Sequence, residues 1–268
     1  MITLKEAIEA LGKSGVDSPE YDARELFRAF GNLSGEIPTL LTSSDSEELA
    51  VALSRRMARE PLQYIIGNVG FYREEYKVTP DCLIPRPDTE ILVERAIELL
   101  PEGALFLDLC TGSGCVALSV LNNTKNTRAV AVDISDGALA TARENAESLG
   151  LSDRVEFIKA DVLEEMIEGD FFAVLSNPPY VSESAYRELE EEIYREPKLA
   201  FVGGRDGVDF YEKLTPTYRS VTERGGFIAY EIGYDQGEAL RDIANRNDIP
   251  CEIVPDLAGR DRVAILRK

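Results

Sequence analysis

The chain has 268 residues, 44% of them hydrophobic, and a formal net charge of −20 from 49 acidic and 29 basic side chains. That content supports a packed core and argues against disorder, while the charge opposes a protein built on phosphate contacts, so no nucleic-acid partner is expected. There is no histidine, and none of the four cysteines (Cys82, Cys110, Cys115, Cys251) forms a C-x-x-C pair. Ser-His-Asp chemistry is thereby excluded, the usual zinc sites are disfavoured, and no metal is expected.

The length suits one ordinary domain and a smaller one. The N-terminus shows no basic stretch followed by an apolar one, and no window approaches the roughly 20 apolar residues of a membrane span. A cytoplasmic monomer with reduced thiols and no membrane partner is the expectation.

Residues 1–60 read as a small helical domain. Thr3 and Glu6 form a capping box ahead of Leu4, Ala7, Ile8 and Leu11, which share one helical face. Ser18-Pro19 opens a second helix with Tyr21, Leu26, Phe27 and Phe30 inward, stopped by Gly31. Ser44 or Asp45 opens a third, with Leu49, Ala52, Leu53 and Met57 inward. Such a unit serves either as a packing cap or to recognise a macromolecular substrate. Residues 61–87 read as a hairpin and linker: Gln63–Ile66 and Val69–Tyr72 flank Gly67-Asn68, and Ile84-Pro85-Arg86-Pro87 is stiff.

Residues 88–268 alternate. Asp88 or Thr89 caps a helix over 90–100. Strands are predicted at 104–109, 129–132, 155–158, 172–175 and 226–231, with helices to about 122, at 135–149, at 208–222 and at 236–247. Strands at 252–254 and 263–266 give an antiparallel ending. The pattern is α/β, a parallel sheet with helices on both faces, whose ligands sit beyond the carboxyl ends of the strands.

Two of those ends carry chemistry. Asp108-Leu109-Cys110-Thr111-Gly112-Ser113-Gly114 leaves a strand and opens a helix, the setting of a glycine fingerprint in which Gly112 and Gly114 allow close approach to a ligand. Asp108 suits a ligand's ammonium group, Asp133 the two hydroxyls of a ribose, and Asp161 with Val162 an adenine slot. A dinucleotide fits Gly112–Ala117 and Asp133. S-adenosylmethionine fits Asp108 better, since a carboxylate ahead of the glycines suits an ammonium rather than a pyrophosphate. Taken singly, Asp133 and Asp161 are also ordinary helix-capping acids.

The other end is Asn177-Pro178-Pro179-Tyr180, after the apolar run Phe171–Ser176. The prolines stop the strand and lack N–H groups, so the corner is rich in acceptors. Asn177 adds a side-chain carbonyl and Tyr180 a flat wall. Such a corner suits a substrate –NH₂ group; its bland reading is an Asn-Pro turn.

The tetrapeptide resembles the motif of methyltransferases acting on exocyclic or amide nitrogens. Together with Arg55-Arg56, Glu60–Ile65, Leu83-Ile84-Pro85-Arg86-Pro87-Asp88-Thr89-Glu90, Glu196-Pro197 and Gly204–Gly207, the chain resembles the PrmC/HemK family over nearly its whole length. These are the glutamine N5-methyltransferases of class-1 peptide-chain release factors. The resemblance implies a Rossmann-like S-adenosylmethionine-dependent methyltransferase sheet with a small N-terminal helical domain for substrate recognition. It extends the cofactor set to Cys110, Thr111, Ser113 and Asn177, and implies Asn177, Pro178, Pro179, Tyr180 and Arg86 as substrate contacts. Asn177, Pro178 and Tyr180 are implied as catalytic: Asn177 and Pro178 accept the two amide protons, and no general base is needed.

Three positions depart from the family: Cys110 and Tyr72 stand where glycine is usual, and Tyr76 where phenylalanine is. Cys110 is expected to be tolerated with a negative φ. Rival readings are a nucleic-acid methylase, opposed by the charge, a nicotinamide oxidoreductase, and a non-catalytic binding module, opposed by the intact acids and Asn177 turn.

Overall fold

The structure, a computed structural model, describes residues 1–33 and 38–268. It divides into two compact units, one of residues 1–68 with 190–195 and one of 69–189 with 196–268.

In the first unit, β1 (Ile2–Thr3) runs into α1 (Leu4–Lys13), and the Thr3–Glu6 capping box is complete. α2 (Pro19–Phe30) follows, with proline in its first turn and Gly31 as its C-cap. Then come β2 (Ser43–Ser44), which pairs antiparallel with β1, α3 (Glu47–Met57) and α4 (Leu62–Ile66). Leu4, Leu11, Leu26, Phe27, Leu49 and Leu53 make its core. Within this unit Arg56, almost wholly buried, donates to Asp22 at 2.6 Å and to Glu192 at 2.8 Å.

Several local expectations are corrected. Ser46, not Ser44 or Asp45, caps α3, because Ser44 is taken into the bridge opposite Ile2. Tyr21 and Met57 are 60% and 42% exposed. Tyr21 lies about 140° around α2 from Leu26 at 100° per residue, and Met57 ends its helix in solvent. Gln63–Ile66 is helical rather than the first arm of a hairpin. Pro61 sets its entry, and Gly67, at φ 91, closes it by donating to the Gln63 carbonyl at 2.7 Å, a left-handed C-cap. The hairpin lies one step further on, as β3 (Asn68–Phe71) and β4 (Glu74–Lys77) around Tyr72 and Arg73.

In the second unit a 3-10 turn at Pro87–Thr89 leads into α5 (Glu90–Leu99), which neither Asp88 nor Thr89 caps by side chain. There follow β5 (Leu105–Leu109), α6 (Cys115–Asn123), β6 (Arg128–Asp133), α7 (Asp136–Ser148, capped by Ser135), β7 (Val155–Lys159) and β8 (Ala173–Ser176). After α8 (Glu183–Tyr186) the helix expected over 208–222 is two, α9 (Asp209–Thr217) and α10 (Arg219–Glu223). Pro216 lies inside α9, where its missing N–H weakens the ladder just before the break. β9 (Phe227–Glu231), α11 (Gly237–Arg246), β10 (Cys251–Pro255) and β11 (Asp261–Leu266) complete the unit.

The seven strands lie in the order β10-β11-β9-β8-β5-β6-β7, with β9, β8, β5, β6 and β7 parallel and β11 antiparallel to both its neighbours. This is the expected α/β sheet. Alternate residues of β5 pack on opposite faces, Phe106 with Leu92, Val93 and Leu118, and Leu107 and Leu109 with Val130, Tyr211 and Leu240. Both faces are covered, which is why the central strands β5, β8 and β9 are mostly buried apolar residues. The chain leaves β5 in one direction and returns to β8 beside it. Register sets Leu109 opposite both Val132 and Ser176, and Ser176 opposite Tyr230. The turns after β5 and β8 therefore emerge together at the switch point, where open α/β sheets bind ligands.

Candidate active site

At that edge lies a cavity of about 270 Å³, close to the lower end of small-molecule sites. Its wall includes Arg86, Cys110, Thr111, Gly112, Ser113, Asp133, Asp161, Val162, Asn177 and Pro179. Four residues singled out in the sequence, Asp108, Gly114, Pro178 and Tyr180, stand behind or beside this wall rather than on it.

On the β5 side, Asp108 is 1% exposed. Its Oδ2 accepts from the Thr111 hydroxyl at 2.6 Å and from the Ala117 N–H at 3.3 Å. Burial pushes its carboxyl up to about 7, against the pull of those two bonds. Asp133, at the end of β6, accepts from the N–H groups of Gly112 (2.8 Å) and Ser135 (2.9 Å), one on each oxygen. Burial raises its pKa and the backbone donors oppose the rise. Each oxygen keeps a second lone pair for a ligand hydroxyl. The Ser113 hydroxyl is buried with no hydrogen-bond partner among the described residues, and a methyl group built on Gly112 would meet nothing within 4 Å.

The condition under which Cys110 was expected to be tolerated, a negative φ, is not met: its φ is +60°. The turn requires a left-handed residue there, and a side chain holds that conformation at a cost of about 1 kcal/mol.

On the β8 side, the Ser176 hydroxyl donates to the Leu109 carbonyl at 2.7 Å, lashing the two strand ends together. Asn177 Nδ2 donates to Thr89 Oγ1 at 3.2 Å. That bond engages the nitrogen of the Asn177 amide, and Asn177 lines the cavity. The Tyr180 hydroxyl donates to Glu231 Oε1 at 3.1 Å, and its carbonyl accepts from Gln236 Nε2 at 3.0 Å. Burial first, then the Glu231 charge, holds the Tyr180 phenol in its protonated form. A side chain on Gly203 or Gly207 would collide with the Pro179 or Tyr180 carbonyl, which explains the glycine-rich stretch that packs round this turn.

Arg86 lines the cavity and also forms an ion pair with the buried Glu196, which accepts the Ile84 N–H at 2.9 Å. This joins Ile84–Arg86 to Glu196-Pro197, two stretches quoted separately from the sequence. Sequence reasoning read Thr89 only as a helix cap and did not single out Glu231. The available signal for Glu231 was an acid ending an apolar strand, the signal that had marked Asp108 and Asp133.

A seven-stranded sheet of this order, with a glycine turn, a strand-end acid and an Asn-Pro-Pro-Tyr corner on one cavity, defines a Rossmann-like methyltransferase. The Methyltransferase small domain model matches residues 87–200, and the PrmC N-terminal domain model matches residues 3–67. The release factor glutamine methyltransferase of Moorella thermoacetica is 40% identical over 274 residues, covering 97% of this chain and 95% of that protein. That of Caulobacter vibrioides is 37% identical over 270 residues, covering 97% and 93%. The chain belongs to the release factor glutamine methyltransferase family. The crystal structure of the ribosomal protein L11 methylase from Lactobacillus delbrueckii subsp. bulgaricus shares the fold, with a TM-score of 0.52 at 20% identity over 71% of this chain and 84% of that one.

Proposed function

We propose that this protein uses S-adenosylmethionine to methylate N5 of the glutamine in the Gly-Gly-Gln motif of class-1 peptide-chain release factors, and that the Asn177 turn holds the acceptor amide. The observation that carries the reading is the Asn177–Thr89 bond, which leaves an amide oxygen at a corner where two prolines have removed the N–H donors.

The residues of the β5 side fit the methyl donor. Asp133 has lone pairs for a ribose diol, and Asp161 and Val162 flank a slot for a base. The unpartnered Ser113 hydroxyl and the open space at Gly112 leave room for a polar ligand, with Asp108 and Thr111 beneath for an amino-acid head group. Bound there, S-adenosylmethionine supplies an electrophilic methyl group on a sulfonium.

This chain's own part is to position and polarise. A glutamine amide is a poor nucleophile because its lone pair is delocalised into the carbonyl. Asn177 Oδ1 and the Pro178 carbonyl accept one amide N–H each. This fixes the plane of the amide and stabilises the positive charge that develops on nitrogen. Tyr180 anchors the turn from behind the cavity wall through its bond to Glu231, and Arg86 closes the wall. The proton leaves to solvent after the N–C bond forms.

The unit of residues 1–68 with 190–195 is the substrate-recognition domain, and that of 69–189 with 196–268 carries methyl transfer. A net charge of −20 disfavours a nucleic-acid acceptor. The four free thiols suit a reducing compartment, and we place the protein in the cytoplasm as a monomer. Among the described residues no helix is long and apolar enough to cross a membrane.

The test uses purified protein, S-adenosylmethionine with a labelled methyl group, and a release factor with its glutamine intact or changed to alanine. Label in the first alone supports the reading. Equal label in both would move the acceptor elsewhere and overturn it.

A further inference from the structure

Gln236 stands at the N-cap of α11, but its side chain, in a residue only 9% exposed, makes no capping bond to that helix. It turns instead to the back of the acceptor corner. Its Nε2 donates to the Tyr180 carbonyl at 3.0 Å and to the Gly207 carbonyl at 3.1 Å. Its Oε1 accepts the Gly233 N–H at 2.8 Å and lies 3.4 Å from the Tyr211 hydroxyl. Both amide protons are thus spent on carbonyls of two separate segments, and the oxygen holds a third segment. The reverse orientation would set oxygen against two carbonyls and nitrogen against an N–H, so the side chain has one seating.

The prolines give those bonds their importance. A turn is ordinarily tied by its own N–H groups, and Pro178 and Pro179 have none. The Asn-Pro-Pro-Tyr turn is therefore held from its two ends. At the start, the Ser176 hydroxyl bonds the Leu109 carbonyl and the Asn177 amide bonds Thr89. At the far end, the Tyr180 hydroxyl bonds Glu231, Val181 pairs with Phe201 and Gly203, and Gln236 grips the Tyr180 carbonyl. The glycine-rich stretch lies directly against the turn. A Cβ on Gly203 would come within 2.2 Å of the Pro179 carbonyl oxygen, and one on Gly207 within 2.3 Å of that of Tyr180. Gln236 bonds the turn and this stretch at once.

We propose that Gln236 is a positioning residue for methyl transfer: by clamping Tyr180 to Gly207 it fixes the backbone of the Asn-Pro-Pro-Tyr turn, and with it the Pro178 carbonyl that accepts the substrate amide. The inference rests on the reading of that turn as the holder of the glutamine –NH₂. Gln236 is not among the residues that line the cavity, so its loss falls on kcat through misplacement of the acceptor and spares S-adenosylmethionine binding.

A carboxyl in place of the carboxamide tests the clamp through its proton. In Gln236→Glu the ionised group has no proton for either carbonyl and repels both; once protonated, it donates to one of them. Burial raises such a carboxyl, which brings its titration toward neutrality. Gln236→Met fills similar space with no donor at any pH. Neighbouring titratable groups, Glu231, Tyr180 and Tyr211, are common to native and variant proteins, so the ratio of variant to native kcat isolates position 236.

The experiment measures kcat and KM for a release factor at saturating S-adenosylmethionine between pH 6 and 9, and the cofactor dissociation constant by calorimetric titration. Gln236→Glu, Gln236→Met and Asn177→Ala are compared with the native enzyme. Gln236→Glu is expected to lower kcat about 100-fold at pH 8.5, the scale of a 1 Å misplacement, with KM and the cofactor dissociation constant little changed. Its kcat relative to native should rise as pH falls, and that of Gln236→Met should stay low throughout. Native-like kcat in both variants, a loss in Gln236→Glu that does not shrink at low pH, or a fall in cofactor affinity that matches the fall in kcat would overturn the clamp. Asn177→Ala separates the two readings. If it is inactive while the Gln236 variants are native-like, only the clamp fails; if it is fully active, the acceptor reading fails and the clamp with it.

Discussion

The turns after β5 and β8 leave neighbouring strands at the same edge and are built on opposite chemistry. The first is glycine-rich and rich in N–H groups. Gly112 turns its N–H onto Asp133, Ala117 turns its own onto Asp108, and a helix starts at Cys115. The second has two prolines, a carboxamide whose nitrogen is bonded to Thr89, and carbonyls. In the proposed reading the first turn offers its N–H-braced carboxylates to a methyl donor's hydroxyls and ammonium, and the second offers amide and backbone oxygens to the acceptor –NH₂. On that reading two neighbouring turns divide a small cavity into a methyl-donor half and a methyl-acceptor half, in a chain without histidine.

The largest expected effect on turnover breaks the acceptor half. Asn177→Ala should lower kcat by about 10²–10³-fold, as for one preorganised polar partner, while the dissociation constant for S-adenosylmethionine is retained in a calorimetric titration. Loss of cofactor affinity instead would place Asn177 in the donor half. Next is Asp133→Ala, which removes two charge-assisted bonds to a ribose, each worth about 1.5–3 kcal/mol; the cofactor Kd should rise by roughly 10²–10⁴-fold with little change in kcat.

The acids sharpen the comparison through pH. Asp108 and Glu231 are both raised to about 7 in the folded protein, from ordinary values of 3.8 and 4.5. Their stabilising contribution is complete below those ordinary values and is lost as pH rises through about 7. Ligand-free protein should therefore melt at lower temperature at pH 8 than at pH 5. An ammonium group placed against Asp108 would lower its pKa. S-adenosylmethionine binding at pH 6.5 should then release protons, seen as a dependence of binding enthalpy on buffer ionisation, and the effect should fade by pH 8.5. Proton uptake would contradict the ammonium assignment. The smallest effect is Cys110→Gly, which relieves a left-handed side-chain residue and should change stability by about 1 kcal/mol in the stabilising direction on denaturant unfolding.

The donor half was legible in the sequence because its parts are local: Asp108 to Gly114 is one turn, and Asp133 ends the next strand. The sheet was legible because both of its faces are buried, which leaves apolar runs that periodicity detects. The acceptor half was legible only in its outer layer. Asn177 and its prolines are contiguous, but the residue that orients Asn177 is Thr89, far back in the chain, and Glu231 lies far ahead. No local pattern joins those three: the register of β8 beside β9 brings the strand ends before Asn177 and at Glu231 together, and the Asn177–Thr89 bond adds the third. The errors were of the same kind. Gln63–Ile66 looked like a strand because four apolar-flanked residues carry no period, and Gly67 read equally as a hairpin turn or a helix cap. Cys110 was read as tolerable only if φ stayed negative, and the turn sets it at +60°.

The most direct measurement of the acceptor-half claim exchanges one atom of the substrate. A release factor with Gly-Gly-Glu in place of Gly-Gly-Gln presents a carboxylate of nearly the same shape but with no N–H. The labelled-methyl assay should find transfer to the glutamine protein and none to the glutamate protein, because the Asn177 oxygen and the Pro178 carbonyl repel a carboxylate. Transfer to glutamate at a comparable rate, yielding a methyl ester, would show that the turn does not select by accepting N–H groups and would contradict the account.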